Sequence, residues 1–229
     1  MRLTPRLKRL FLARRTTKRM RSHKKSKARN DGLMVHPSDG DAWKALDSFD
    51  PGFASDERNV RIGLATDGFT PFNMTAASYS CWPVFAIPYN LPPEDCMKSE
   101  FMFLCLIIPG PEHPGVKLNV MLEPLIEELK ELWEGAEAYD YYTKQKFNLR
   151  AAYLWSVHDF LAYGIFAGWR VNGRLACPIC GKETDCTRWI VRRTKLYLLD
   201  PRPCKLCMRH ALTLRIGMYI CNTILFRGC

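Results

Sequence analysis

Residues 61–72 read RIGLATDGFTPF: an apolar run ends in a single carboxylate, Asp67, followed at once by Gly68 and soon by Pro71. Together with the residues before it (NVRIGLAT, 59–66) the run has the apolar, β-branched content of a strand bounded by turn formers. A lone carboxylate at the tip of a buried strand has two readings. An Asp before Gly commonly opens a turn. A carboxylate held at a strand end can also bind a hard cation.

Downstream, WPVFAIPY (82–89) and FMFLCLII (101–108) follow at hairpin-like distances. Pro83 and Pro88 argue for an edge position or an irregular strand in the first of these. The period then changes. In LNVMLEPLIEELKELWEG the residues Leu118, Leu122, Leu125, Leu129 and Leu132 form a helical stripe, widened by Met121, Ile126 and Trp133. Gly135 predicts its C-terminal stop, and Pro124 predicts a first turn, so that the regular helix starts there. FNLRAAYLWSVHDF alternates at Phe147, Leu149, Ala151, Tyr153, Trp155 and Val157 before reaching Asp159, and FLAYGIFAGW reads as a short helix or turn. Three strands, a helix, a fourth strand and a further helix predict an α/β fold with a mixed sheet.

Asp67 and Asp159 share a setting, each closing a strand-like run. If the first and fourth strands are neighbours, the two carboxylates converge at one end of the sheet. Such a pair suits Mg²⁺, which takes few protein oxygens and keeps waters, and two ions of this kind serve phosphodiester chemistry. The alternative is that Asp67 opens a turn and Asp159 caps the helix after it.

Upstream, DAWKALDSFDPGF predicts a short helix ending near Pro51. The first 30 residues form a basic arm, helical around Leu7 to Ala13. It reads as a solvated, partly disordered tail, as a nuclear-import or nucleic-acid arm centred on KRMRSHKKSKAR, or as an Arg-rich transit peptide. Charge is unevenly spread within the formal +11. Residues 1–29 hold 13 Lys/Arg and no acid, residues 30–187 hold 12 basic and 22 acidic residues, and residues 188–229 hold 9 basic and 1 acidic. The basic pI therefore belongs to the two ends and not to the middle. With 47% apolar residues among 229 the chain has the means for a real core, yet no apolar run reaches the roughly 18 residues of a membrane span. The N-terminus, basic beyond a normal leader and without a clean apolar stretch, is not expected to be a secretory signal.

Ten cysteines without such a signal, two pairs of them spaced CxxC, point to metal in a reducing compartment. Cys177 and Cys180 in CPIC form a candidate zinc knuckle; Cys204 and Cys207 in CKLC lie further on, with His210 nearby. Cys81, Cys96 and Cys105 lie in or near apolar strands and are expected in the core.

The motifs VRIGLATDGFTPF, YSCWPVFAIPYNLPP, FMFLCLIIPGPEHPG, LNVMLEPLIEELKELW, FNLRAAYLWSVHDFLAYGIFAGW and RLACPICGKETDC closely resemble plant CACTA (En/Spm-type) DNA transposases, from about Arg9 through MVHPSDGDAWKALDSFDPGFAS to about Cys186. The resemblance implies a ribonuclease-H-like catalytic domain of the DDE type. It would cut at transposon ends and join them to target DNA with two divalent ions, Mg²⁺ or Mn²⁺. Asp67 matches the first acid of the triad and Asp159 the second. Asp67 would bridge the ions and Asp159 would hold one of them. The family's third acid, a downstream glutamate, and its Cys-His continuation have no counterpart here. After about Trp189 the chain departs from the family, which a frameshift, mis-splicing or read-through would explain.

The expected layout is a flexible basic arm (1–35), a connecting segment (36–58), a partial ribonuclease-H-like core (59–170), the CxxC knuckle (171–189) and a divergent basic tail (190–229). The fold is thus expected to be incomplete at the C-terminus, and the enzyme catalytically defective. The other readings are a non-enzymatic, zinc-containing DNA-binding protein derived from a transposon, or a non-functional remnant. DNA is the expected partner, the nucleus the expected location with an organelle as alternative, and oligomeric state is not legible.

Overall fold

Between turn-forming residues, the short apolar runs become strands and the long amphipathic run becomes a helix. The computed structural model describes residues 1–25, 34–71, 79–112, 114–158, 160–166, 186–191 and 194–199. In chain order these form α1 (Thr4–Leu10), α2 (Arg14–Arg19), α3 (Asp41–Phe49), α4 (Pro51–Ser55), β1 (Val60–Thr66), β2 (Trp82–Pro88), α5 (Pro93–Cys96) and β3 (Phe103–Ile108). There follow α6 (Leu118–Glu134), β4 (Ala136–Asp140), β5 (Gln145–Leu149), β6 (Ala151–Val157), α7 (Phe160–Phe166), β7 (Cys186–Val191) and β8 (Thr194–Leu199).

Four strands build one mixed sheet in the order β3-β2-β1-β6. β1 and β2 are antiparallel, β2 and β3 are antiparallel, and β1 and β6 are parallel. Parallel neighbours need a long crossover, and here it carries α6, which packs on β6 and β3. The predicted stripe is the face α6 buries: Leu118, Leu122, Leu125, Leu129 and Leu132 are all inside. Each such leucine contributes about 1.5–3 kcal/mol of burial.

Several elements differ from expectation. α6 begins at Leu118 and carries Pro124 in its interior, not its first turn. A 3-10 turn over Gly115–Lys117 feeds the helix directly, and burial of Leu118 and Leu122 holds the turns before the proline in place. β2 is an inner strand despite its prolines, not an edge; the irregularity they predict is a register shift against β3 between Val84 and Phe85. The alternating run 147–157 is two strands, not one. At Arg150 the chain leaves the separate β4–β5 hairpin and enters the main sheet. Arg150 is held there by its N–H to Asn59 Oδ1 (3.1 Å) and by its guanidinium to the Trp133 carbonyl (2.8 Å) and Asp50 (2.9 Å).

The largest difference is at the N-terminus. The expected flexible arm is folded over residues 1–25, with Leu3, Leu7, Leu10, Phe11 and Met20 in the core. Three of its arginines pair with acids of the body: Arg2 with Glu128 and Glu131, Arg19 with Glu94 and Asp95, Arg21 with Glu57 and Asp140. The opposite charges of arm and middle thus meet directly. The segment expected as a mere connection buries Trp43 and Phe53. The segment expected to depart from the family after about residue 189 contains β8, paired antiparallel with β7 from Cys186–Leu199 to Val191–Thr194. Among the described residues no helix is long and apolar enough to cross a membrane.

Candidate functional site

β1 is buried along almost its whole length, so its pairing is strongly specified. Gly63 lets it lie against Tyr89, because a Cβ there would fall within the Tyr89 ring. Burial pushes the Tyr89 hydroxyl up to about 12, and that hydroxyl accepts the Trp155 indole N–H at 3.1 Å. The β1–β6 register shifts at this point, between Ile62 and Gly63, and then runs Gly63–Trp155, Leu64–Ser156 and Ala65–Val157.

The two strands therefore end side by side. Thr66 is buried, and its hydroxyl donates to the Pro83 carbonyl of β2 at 2.8 Å. Asp67, the next residue, is exposed, and its Oδ1 accepts the Gly68 N–H at 2.7 Å. The turn reading of Asp67 and the site reading are compatible, because the turn bond uses only one of the two carboxylate oxygens. Beyond it Phe69 and Cys81 exchange backbone bonds of 2.9 and 2.8 Å, closing the loop back onto β2. Gly68 is required here, since a Cβ would lie 2.8–2.9 Å from the Trp82 indole. That indole N–H donates to Ser80 Oγ at 2.8 Å. The carboxylate thus leaves a braced strand end.

On the β6 side His158 follows Val157. Its Nδ1 lies 3.2 Å from the Thr66 carbonyl, and its ring packs on Phe166 of α7 at 4.5 Å. His158 ties the end of β6 to the residue before Asp67, a role the sequence reading missed. The signal was a polar ring placed directly after the apolar run, beside Asp159.

Of the predicted site residues the structure describes Asp67 alone. Asp159, Cys177 and Cys180, with Cys204 and Cys207, lie outside the described residues. Among the described residues no group of three or more His, Cys, Asp or Glu comes together as a metal site. Asp67 fits a divalent ion by chemistry: an exposed hard oxygen donor at a rigid strand end. Cys96 and Cys105 are buried and Cys81 is half-buried. Burial pushes the Cys96 thiol up to about 12 and the Cys105 thiol up to about 11, so both behave as core residues and not as nucleophiles.

Comparison with known proteins gives one match to a family model, described as Transposase family tnp2, over residues 31–212. No curated protein and no solved structure matches. The match begins after the folded basic segment, covers the strand ends just described, and continues past Trp189 through both CxxC pairs. Such a family implies DNA as the partner in general terms. With well over half of its length matched, the chain belongs to the tnp2 transposase family and is a transposon-derived transposase.

Proposed function

We propose that the chain carries a ribonuclease-H-like DDE transposase core of the CACTA type, built to cut DNA at transposon ends and to join those ends to target DNA. The observation that supports this best is the sheet order β3-β2-β1-β6, antiparallel, antiparallel and then parallel, with Asp67 leaving the end of β1. Asp159 stands two residues beyond Val157 in the sequence, as Asp67 does beyond Ala65, and Ala65 and Val157 are paired. In this reading Asp67 and Asp159 are the first two metal-holding acids, taking Mg²⁺ or Mn²⁺. When bound, the ions supply activation of the attacking oxygen and stabilisation of the leaving one. The chain's own part is to hold the two carboxylates at a braced sheet end.

With no counterpart of the third acid in the family motifs, residues 1–229 alone are proposed to cut DNA weakly or not at all. Mn²⁺ titration and nicking of supercoiled plasmid test both statements. Asp67→Ala should weaken Mn²⁺ binding at least about tenfold, the loss of one of few ligands; unchanged affinity would remove Asp67 from the site. Robust Mg²⁺-dependent nicking that vanishes in Asp67→Ala would keep the site and overturn the inactivity.

A second reading concerns zinc. In sequence order the antiparallel β7–β8 hairpin comes between the Cys177/Cys180 pair and the Cys204/Cys207 pair, and the family match includes all four. We propose one structural Zn²⁺ held by Cys177 and Cys180, with the second pair completing four thiolates. Metal analysis of purified protein should then find about one zinc per chain; zinc-free protein with freely modified thiols would sink it. A nuclear location is proposed from the basic N-terminal run, and a reporter fused to residues 1–35 tests it against an organellar one.

A further inference from the structure

The β4–β5 hairpin is an excursion from the main sheet, inserted between α6 and β6. Its turn carries Tyr141 and Tyr142, which are 41% and 53% exposed. Each ring already has a cation near it: Lys144 Nζ lies 3.3 Å from the Tyr141 centroid, and the Arg21 guanidinium 5.4 Å from that of Tyr142. The turn is rigid. Asp140 is fully buried, paired with Arg21, and its Oδ1 accepts the Tyr142 and Thr143 N–H groups at 2.9 and 3.3 Å.

The basic N-terminal segment is fastened to this turn. The Tyr141 N–H donates to the Phe11 carbonyl at 2.9 Å, and Phe11 packs edge-on against Phe147 at 5.1 Å. α2 begins three residues after Phe11. Its arginines divide by task. Arg19 docks onto Glu94 and Asp95, whereas Arg14, Arg15 and Lys18 are exposed and have no ion-pair partner among the described residues. Exposed tyrosines and uncompensated cations are thereby anchored together.

We infer that the turn of the β4–β5 hairpin, with the exposed cations of α2, binds unpaired DNA, the bases stacking on Tyr141 and Tyr142 and the phosphates meeting Lys144, Arg14, Arg15 and Lys18. Positive charge alone would serve duplex and single strand alike. The ring faces favour the single strand, because a base within a duplex is already stacked. A protein partner would need acidic groups to match the cations beside both rings, which the backbone of a single strand supplies at every phosphate. The inference rests on the transposase reading only in taking DNA as the partner.

The test is fluorescence anisotropy of the full chain with labelled oligo-dT and with a duplex of equal length. Tyr141→Ala/Tyr142→Ala should weaken oligo-dT binding at least about tenfold and leave duplex binding within about twofold, while Phe at both positions keeps oligo-dT affinity within about twofold. Arg14→Ala/Arg15→Ala/Lys18→Ala should weaken both ligands and flatten the oligo-dT salt slope by about 2, from about 0.7 per phosphate contact. Unchanged oligo-dT affinity in the double alanine variant overturns the inference. So does a change in its self-association without a change in DNA binding, which would assign the rings to a protein contact. Because both rings are exposed, the variants should melt like the parent. Failure of Mn²⁺ binding would count against the metal-site reading and leave this measurement intact.

Discussion

At Gly63 the absence of a side chain decides how two strands and an aromatic pair fit. Tyr89 occupies the space a Cβ would take, and its hydroxyl accepts the Trp155 N–H from β6. Gly63→Val should therefore destabilise by about 2 kcal/mol or more, as overpacking does in a filled core, read as a lowered denaturant midpoint with unchanged slope. Tyr89→Phe, which keeps the ring, should lose less. His23 makes a second prediction at this scale. It is buried 5.2 Å from the Trp43 ring centroid, and burial, with the nearby Arg61 cation, lowers its pKa from 6.5 to about 3. The folded state keeps it neutral while the unfolded chain protonates it. The stability due to His23 is thus fully present above pH 6.5 and drains away as pH falls toward 3, at up to about 1.4 kcal/mol per pH unit. Paired carboxylates such as Asp140 and Glu128 titrate lower, so the slope between pH 6.5 and 4.5 belongs to His23. Denaturant stability measured across that interval should fall in the parent and stay nearly flat in His23→Leu.

At the scale of the element, α1 shows how a short helix is made by its neighbour. It has no side-chain cap of its own and no acid in its first turn, yet Glu128 of α6 accepts the Leu3 and Thr4 N–H groups at 2.8 and 2.9 Å and the Thr4 hydroxyl at 2.8 Å. Burial alone would raise the Glu128 pKa, but these bonds hold it below the usual carboxylate value. Glu128→Ala should cost roughly 2–4 kcal/mol, several bonds to one charged acceptor being lost together. Limited proteolysis should then open the first 25 residues before the rest. The alternation in 147–157 reads as one strand because period 2 is blind to a change of sheet. Only the Arg150 contacts to Asn59, Trp133 and Asp50 show where the chain turns from one sheet to another.

At the scale of the molecule the uneven charge is a docking device. The acid-free N-terminal run and the acid-rich body meet through Arg2, Arg19 and Arg21, while Leu3, Leu7, Leu10 and Phe11 fill the core. Removing residues 1–25 should therefore cost cooperative unfolding, visible as a broad, shallow thermal transition. A sharp transition near that of the full chain would show that the segment is dispensable. It follows that N-terminal deletion is a poor probe of DNA contact, because it removes core and cations at once. Substitution of the exposed Arg14, Arg15 and Lys18 separates the two.

By itself the sequence determined the three sheet strands from 60 to 108, the α6 stripe and the placing of Asp67 directly after β1, because burial imposes periods of 2 and 3.6 that a single segment displays. It also carried the family motifs, which the match over residues 31–212 places among tnp2 transposases. Tertiary structure alone decided that the basic run is packed, that β2 is an inner strand, that β6 lies parallel beside β1, and that a tyrosine-bearing hairpin stands apart from the sheet. The reason is physical. Pairing partners and counter-charges lie tens of residues apart, and no local period records which Glu an Arg will meet or which edge a strand will join.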